Sequence, residues 1–147
     1  MIREALIPVA GILVMVATLN GCAGPDERIR QSAAQSAEEA VSEVNTTRLT
    51  IEQLQAHKLW PQPAGAMVGD AEKGLEQAAS SFSAQQPSTP ESRRVYEQTT
   101  KALDDAQSAV TAVRIALGND NLAAAERQLV ALRSSSTDLG KIAELAK

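Results

Sequence analysis

Apolar and small residues recur at every third or fourth position along most of this 147-residue chain. The first such run extends from Asp26 to about Leu59. Its predicted buried face carries Ile29, Ala33, Ala37, Ala40, Val44, Thr47, Ile51 and Leu54. This spacing follows the 3.6-residue period of an α-helix, so these side chains fall on one face. The sequence therefore predicts a long amphipathic helix that packs against neighbouring helices.

Three further segments repeat this spacing. The second helix is predicted from about Ala64 to Ala84, with Val68, Ala71, Leu75, Ala78 and Phe82 on one face. The third is predicted from Pro90 to Leu117, with Tyr96, Thr99, Leu103, Ala106, Val110, Val113 and Leu117. The fourth carries Leu122, Ala125, Leu129, Leu132, Ser136, Leu139 and Ala143. Short loops between them predict an antiparallel up-down bundle of four helices, and a three-helix bundle with a loose second segment is the alternative.

Residues that start or stop helices set the predicted boundaries. Asp26 and Thr89 are expected to be N-caps, and Pro90 suits the first position of the third helix. Pro61 and Pro63 are expected to end the first helix. The run 118–120 should stop the third helix and cap the fourth, and the serine-rich run 134–137 is expected to kink or loosen the fourth.

Composition agrees with an all-α fold. Aromatic residues make up 2% of the chain, and 26 of its 147 residues are alanine. Such a core suits closely packed helices and suits a β-sandwich badly. The net charge of -4 excludes the strongly basic surface of a nucleic-acid-binding protein. A single cysteine excludes an intrachain disulfide and a cysteine-based zinc site.

The N-terminus has the pattern of a signal peptide. An apolar run of fifteen residues, from Ala5 to Leu19, is shorter than the roughly 20 residues that span a bilayer. The sequence Leu19-Asn20-Gly21-Cys22 follows it and resembles the lipobox of bacterial lipoproteins. The resemblance implies that Cys22 receives a diacylglycerol and that the chain is cut before it. An ordinary secretory signal and an uncleaved signal anchor are the alternatives.

This resemblance predicts three regions: a signal peptide over 1–21, a lipidated tether over 22–27 and a helical bundle over 28–147. It places the protein in the cell envelope, on the extracytoplasmic side. The expected site of anchoring is the outer face of the plasma membrane, or the outer membrane if the host has one. A second likeness covers residues 46–124 and rests on Thr47-Arg48-Leu49 through Gln53-Leu54, on Asp70-Ala71 and on the run 102–106. These alanine-rich segments resemble small helical lipoproteins of actinobacteria, and the likeness implies no activity.

Few residues suggest chemistry. His57, the single histidine, is interpreted as a polar residue near a helix C-terminus, with acid–base work or haem ligation together with Met67 as the alternative. Adjacent helical residues point about 100° apart, so Asp104-Asp105 and Glu38-Glu39 are read as solvated faces. Arg93-Arg94 is a weak patch for anionic lipid headgroups. No catalytic, cofactor-binding or metal-binding residue is predicted.

Trp60 lies between a helix end and a proline-rich turn. The favoured interpretation is that it covers the end of the bundle, and the alternative is an exposed contact for a protein partner. The sequence therefore predicts a lipid-anchored, non-enzymatic interaction or accessory module. It is held to the membrane by Cys22 and has a protein partner in the envelope. The other hypothesis is a carrier for a lipid or another apolar ligand, held in a gap left by alanine and glycine on the second helix.

Overall fold

The computed structural model describes residues 24–146, which form five α-helices and a terminal 3₁₀ turn. Helix α1 spans Pro25–Gln55, α2 spans Pro61–Ser83, α3 spans Pro90–Gly118, α4 spans Leu122–Arg127 and α5 spans Leu129–Ala143; the 3₁₀ turn spans Glu144–Ala146. Within this range no strand is present, so the all-α prediction is confirmed. The predicted signal peptide and Cys22 lie outside the described residues.

Helix α1 begins earlier than predicted. Gly24, and not Asp26, is the N-cap, and Pro25 takes the first helical position. Proline suits that position because its missing N–H would have no helical partner there. The helix therefore starts inside the segment 22–27 that was assigned to the tether.

Helix α1 also ends earlier than predicted, at Gln55 rather than near Leu59. The prolines do not stop it. His57 adopts a left-handed φ of 55°, and its amide donates to the Leu54 carbonyl at 3.0 Å. The Lys58 amide donates to the Gln53 carbonyl at 2.9 Å. These two bonds form a Schellman-type C-cap, which satisfies the last carbonyls of the helix.

The prolines instead begin the second helix. Pro61 is its first residue, three positions before the predicted start at Ala64. The helix continues without a break to Ser83, although it contains Gly65, Gly69 and Gly74. The second segment is thus a full helix and not a loose connection.

Helix α3 starts as predicted. The Thr89 hydroxyl accepts from the Ser92 amide at 3.0 Å, and the Ser92 hydroxyl accepts from the Thr89 amide at 2.9 Å. This reciprocal pair is a capping box, which satisfies two amides at the start of the helix.

The last helical region differs from the prediction. Gly118 belongs to α3, Asp120 takes a left-handed φ of 52°, and Asn121 caps α4 by accepting from the Ala124 amide at 3.0 Å. The predicted fourth helix is interrupted at Gln128, which separates α4 from α5. The serine-rich run 134–137, which was expected to kink the helix, lies inside the continuous helix α5.

Helix α1 packs against α2, α3 and α5, and α3 packs against α2 and α5, whereas α2 and α5 do not approach each other. Every residue of the predicted stripe of α1 is buried. Eight of the alanines are at most 1% exposed, which allows close approach of the helices: Ala33, Ala37, Ala40, Ala64, Ala71, Ala78, Ala106 and Ala125. Phe82 and Tyr96 stack with ring centroids 5.2 Å apart.

Contacts between helix ends define two ends of the molecule. At the Pro25 end, the Thr89 hydroxyl at the start of α3 donates to the Asp26 carboxylate of α1. At the Trp60 end, the turn 56–60 lies beside the turn 119–121, because one groove is lined by Pro61 and Asp120 together. These contacts are what an up-down order requires, and that order itself stays a prediction.

Candidate functional site

Trp60 does not cover the end of the bundle, as the favoured interpretation held. It is the N-cap residue of α2 and is 80% exposed. Most of the other exposed large apolar residues lie within two helical turns of this end: Leu49, Met67 and Ile115. The two remaining aromatic residues are used inside the bundle, in the stacked pair. Trp60 is therefore the one aromatic residue that is mostly exposed to solvent, since Tyr96 is half-buried and Phe82 is buried.

The backbone around Trp60 is held by hydrogen bonds. The preceding turn is closed by the C-cap of α1, and the Trp60 carbonyl accepts from the Ala64 amide at 3.2 Å. Pro61, directly after Trp60, has a fixed φ. A tryptophan on a constrained turn loses little conformational entropy when it binds, which favours a contact role.

A surface groove of about 390 Å³ lies beside Trp60, between the start of α2 and the end of α3. Its lining is partly apolar and partly charged: Pro61, Gln62, Gly65, Arg114, Leu117, Gly118 and Asp120. A Cβ added at Gly65 would meet no atom within 4 Å, so the groove is open at this position. Sequence reasoning missed this groove because its two walls are about fifty residues apart in the chain.

One polar network holds the two walls together. Glu72 of α2 accepts from the Thr111 hydroxyl at 2.6 Å, and its other oxygen lies 2.5 Å from Arg114 Nε. The Glu72 side chain is 21% exposed, so the pair is partly shielded from solvent. Bonds to ionised groups are stronger than neutral ones, and this network fixes the charged wall of the groove.

The two residues considered for acid–base catalysis or haem ligation are both exposed. His57 is exposed and lies beyond the end of α1, and Met67 is 40% exposed on α2. Among residues 24–146, no group of three or more histidine, cysteine or acidic side chains is arranged to hold a metal ion.

The paired charges are surface features. Glu38, Glu39, Asp104 and Asp105 are all exposed. Lys101 donates to Asp105 at 2.6 Å, and this hydrogen bond raises the pKa of Lys101.

The gap expected along α2 for an apolar ligand is occupied at one position. Gly74 faces Glu43 of α1, and a Cβ at Gly74 would lie 2.8 Å from the Glu43 Cδ. Burial raises the pKa of the Glu43 carboxyl, which has no hydrogen-bond or ion-pair partner among the described residues. A groove between α3 and α5, which includes Ala102 and Ser135, has serine, glutamine and aspartate in its walls. The carrier hypothesis stays a prediction.

None of the helices in the described range is long and apolar enough to cross a membrane. Comparison with protein-family models, with curated proteins and with solved structures finds no match to this chain.

Proposed function

We propose that this protein is a lipid-anchored protein of the cell envelope whose helical domain is a non-enzymatic interaction module. The acyl chains are carried by Cys22, and the protein partner binds at the Trp60 end. The lipobox resemblance of residues 19–22 supports the anchor. The exposed tryptophan and its neighbouring groove support the contact surface.

The observation that carries the proposal is the 80% exposure of Trp60 on a hydrogen-bonded turn. An exposed tryptophan costs free energy in water, and tryptophan is among the residues most enriched at binding hot spots. The adjacent groove offers Leu117 for apolar contact, and Gln62 and Asp120 for polar contact. This surface thus combines an aromatic anchor with a polar rim, which is the usual anatomy of a protein interface.

Photocrosslinking in intact cells tests the contact surface. A photoreactive amino acid at position 60 should capture a discrete protein, whereas the same group at Val130 should not. Val130 is a matched control because it is 74% exposed and apolar but lies on α5. Equal capture from both positions, or none from position 60, would contradict the assignment of the surface.

Metabolic labelling with a fatty-acid analogue tests the anchor. The native chain should incorporate the label, and Cys22→Ser should abolish incorporation because the chain has no other thiol. Labelling that survives this substitution would refute acylation at Cys22.

A further inference from the structure

The start of α1 leaves little room between the bundle and the membrane. If Cys22 carries the lipid, three residue steps separate it from Pro25, the first helical residue. Three residues span at most about 11 Å even when fully extended. The Pro25 end of the bundle must then lie within roughly one Debye length of the lipid headgroups.

This end of the bundle gathers arginines from two helices. Arg28 and Arg30 lie in the first two turns of α1, and Arg93 and Arg94 lie in the first two turns of α3. The Thr89–Asp26 hydrogen bond joins the two helix starts. The two pairs come to the same end of the bundle only in the folded chain, since they are more than sixty positions apart in the sequence.

Two of these arginines have no carboxylate partner within residues 24–146. The other two share Glu91, whose Oε1 lies 3.7 Å from Arg30 Nη2 and whose Oε2 lies 3.4 Å from Arg94 Nη1. Arg28 and Arg93 are exposed and form no ion pair with a described residue. They are therefore available to contact phosphate groups outside the protein.

The balance of charge at this end differs from that of the whole chain. Residues 25–31 and 90–94 hold four arginines against Asp26, Glu27 and Glu91, whereas the chain as a whole has a net charge of -4. Glu97, about one turn further along α3, is acidic, and the charges of Lys141 and Glu144 near the end of α5 cancel. The first two turns of α1 and α3 thus carry a net charge of +1, so an anionic surface repels them less than it repels the acidic remainder of the domain.

We infer that the Pro25 end of the domain contacts an anionic phospholipid surface, with Arg28 and Arg93 at the headgroup phosphates and α1 pointing away from the membrane. This inference rests on the proposed acylation of Cys22. The 31 residues of α1 then hold the Trp60 end about 46 Å from the membrane. The partner that binds there must present its own surface at that height.

Trp60 is the single tryptophan of the chain and is a built-in reporter. The acylated full-length protein is reconstituted into phosphatidylcholine vesicles, with or without phosphatidylglycerol, that contain a dansyl-headgroup lipid. Energy transfer from tryptophan to dansyl is efficient only over distances well below the length of α1. On anionic vesicles we expect almost no energy transfer, because the upright domain holds Trp60 far from the dansyl groups. On neutral vesicles we expect more energy transfer, because the domain tilts freely there.

The double variant Arg28→Gln/Arg93→Gln should show increased transfer on anionic vesicles. Each arginine near such a surface changes the equilibrium about fivefold, so the ratio of upright to tilted orientation should fall about 25-fold. The control Lys58→Gln/Arg127→Gln removes the same charge at the Trp60 end and should leave transfer low. Circular dichroism checks that both double variants keep their helices.

Strong transfer in the native protein on anionic vesicles would overturn the inference, as would a double variant that behaves like the native chain. Mass spectrometry of the purified protein separates this failure from that of the proposed function. A chain without acyl groups refutes both proposals, whereas an acylated chain whose Trp60 approaches the headgroups refutes only the upright orientation.

Discussion

Two glycines of α2 provide a sharp test of how α1 and α2 pack. A methyl group at Gly69 would meet nothing within 4 Å, so Gly69→Ala should add helix propensity without a clash. The gain is about 0.8–1.0 kcal/mol in a helix interior. For a domain of this size that corresponds to a rise in Tm of roughly 3–5 °C.

Gly74→Ala should behave differently. The new Cβ would lie 2.8 Å from the Cδ and 2.9 Å from an Oε of Glu43, so that side chain must rotate away. A displaced rotamer costs about 0.5–1.5 kcal/mol, which offsets the gain in helix propensity. We therefore expect Gly74→Ala to change stability by close to zero. In a Glu43→Ala background the obstacle is gone, and Gly74→Ala should recover the full gain.

The measurement is a double-mutant cycle on residues 23–147, the chain without its anchor. This chain should be soluble, mainly helical and cooperatively unfolding. Urea unfolding followed by circular dichroism gives the free energy of each variant. The coupling between positions 43 and 74 should be about 1 kcal/mol, with none between positions 43 and 69. An equal effect of Gly74→Ala in both backgrounds would refute the contact.

Three further outcomes follow from the structure. Leu132→Asp should unfold the domain, because Leu132 is fully buried and the carboxylate would have no partner, whereas Val130→Asp on the same helix should be nearly neutral; thermal melts distinguish them. Trp60→Ala should cost at most about 1 kcal/mol, since only a fifth of the residue is shielded, and a larger loss in urea unfolding would contradict a contact role. Because burial raises the pKa of Glu43 above its ordinary 4.5, the native state binds the proton more tightly than the unfolded state. The free energy of unfolding should therefore fall as the pH rises from 4.5 through the folded pKa, and Glu43→Gln should remove that fall. A Glu43→Gln variant with the same pH profile as the native chain would contradict the effect of Glu43 burial.

The periodic pattern was sufficient for the helices and for most of the core. All eight stripe residues of α1 and all five of α2 are buried. Helical periodicity is local, and a residue at every third or fourth position reaches the same face whichever helix packs against it. The N-cap at Thr89 was equally predictable from the sequence, since its partner Ser92 is three residues away.

Helix ends were less predictable because several local solutions compete there. Proline can follow one helix or begin the next, and Pro61 does the latter. His57 and Asp120 take left-handed conformations that glycine takes more easily, so the ends of α1 and α3 had no clear signal in the sequence. The predicted face of the last region was also only partly right, since Leu129 is half-buried beside the break at Gln128.

Sequence reasoning named Trp60 and Arg93-Arg94 as candidates, but the surfaces to which they belong depended on tertiary structure. Composition and periodicity determined that this chain is a helical domain, and the lipobox resemblance predicted its anchor. The exposure of Trp60, the groove that joins Gly65 to Leu117 and the placement of Arg28 and Arg93 at one end of the bundle required helices distant in sequence to pack together. A stripe of apolar residues states which face a helix buries, but it does not state which neighbour receives that face. The neighbour decides which polar and aromatic side chains remain in solvent, and through them what the domain can bind.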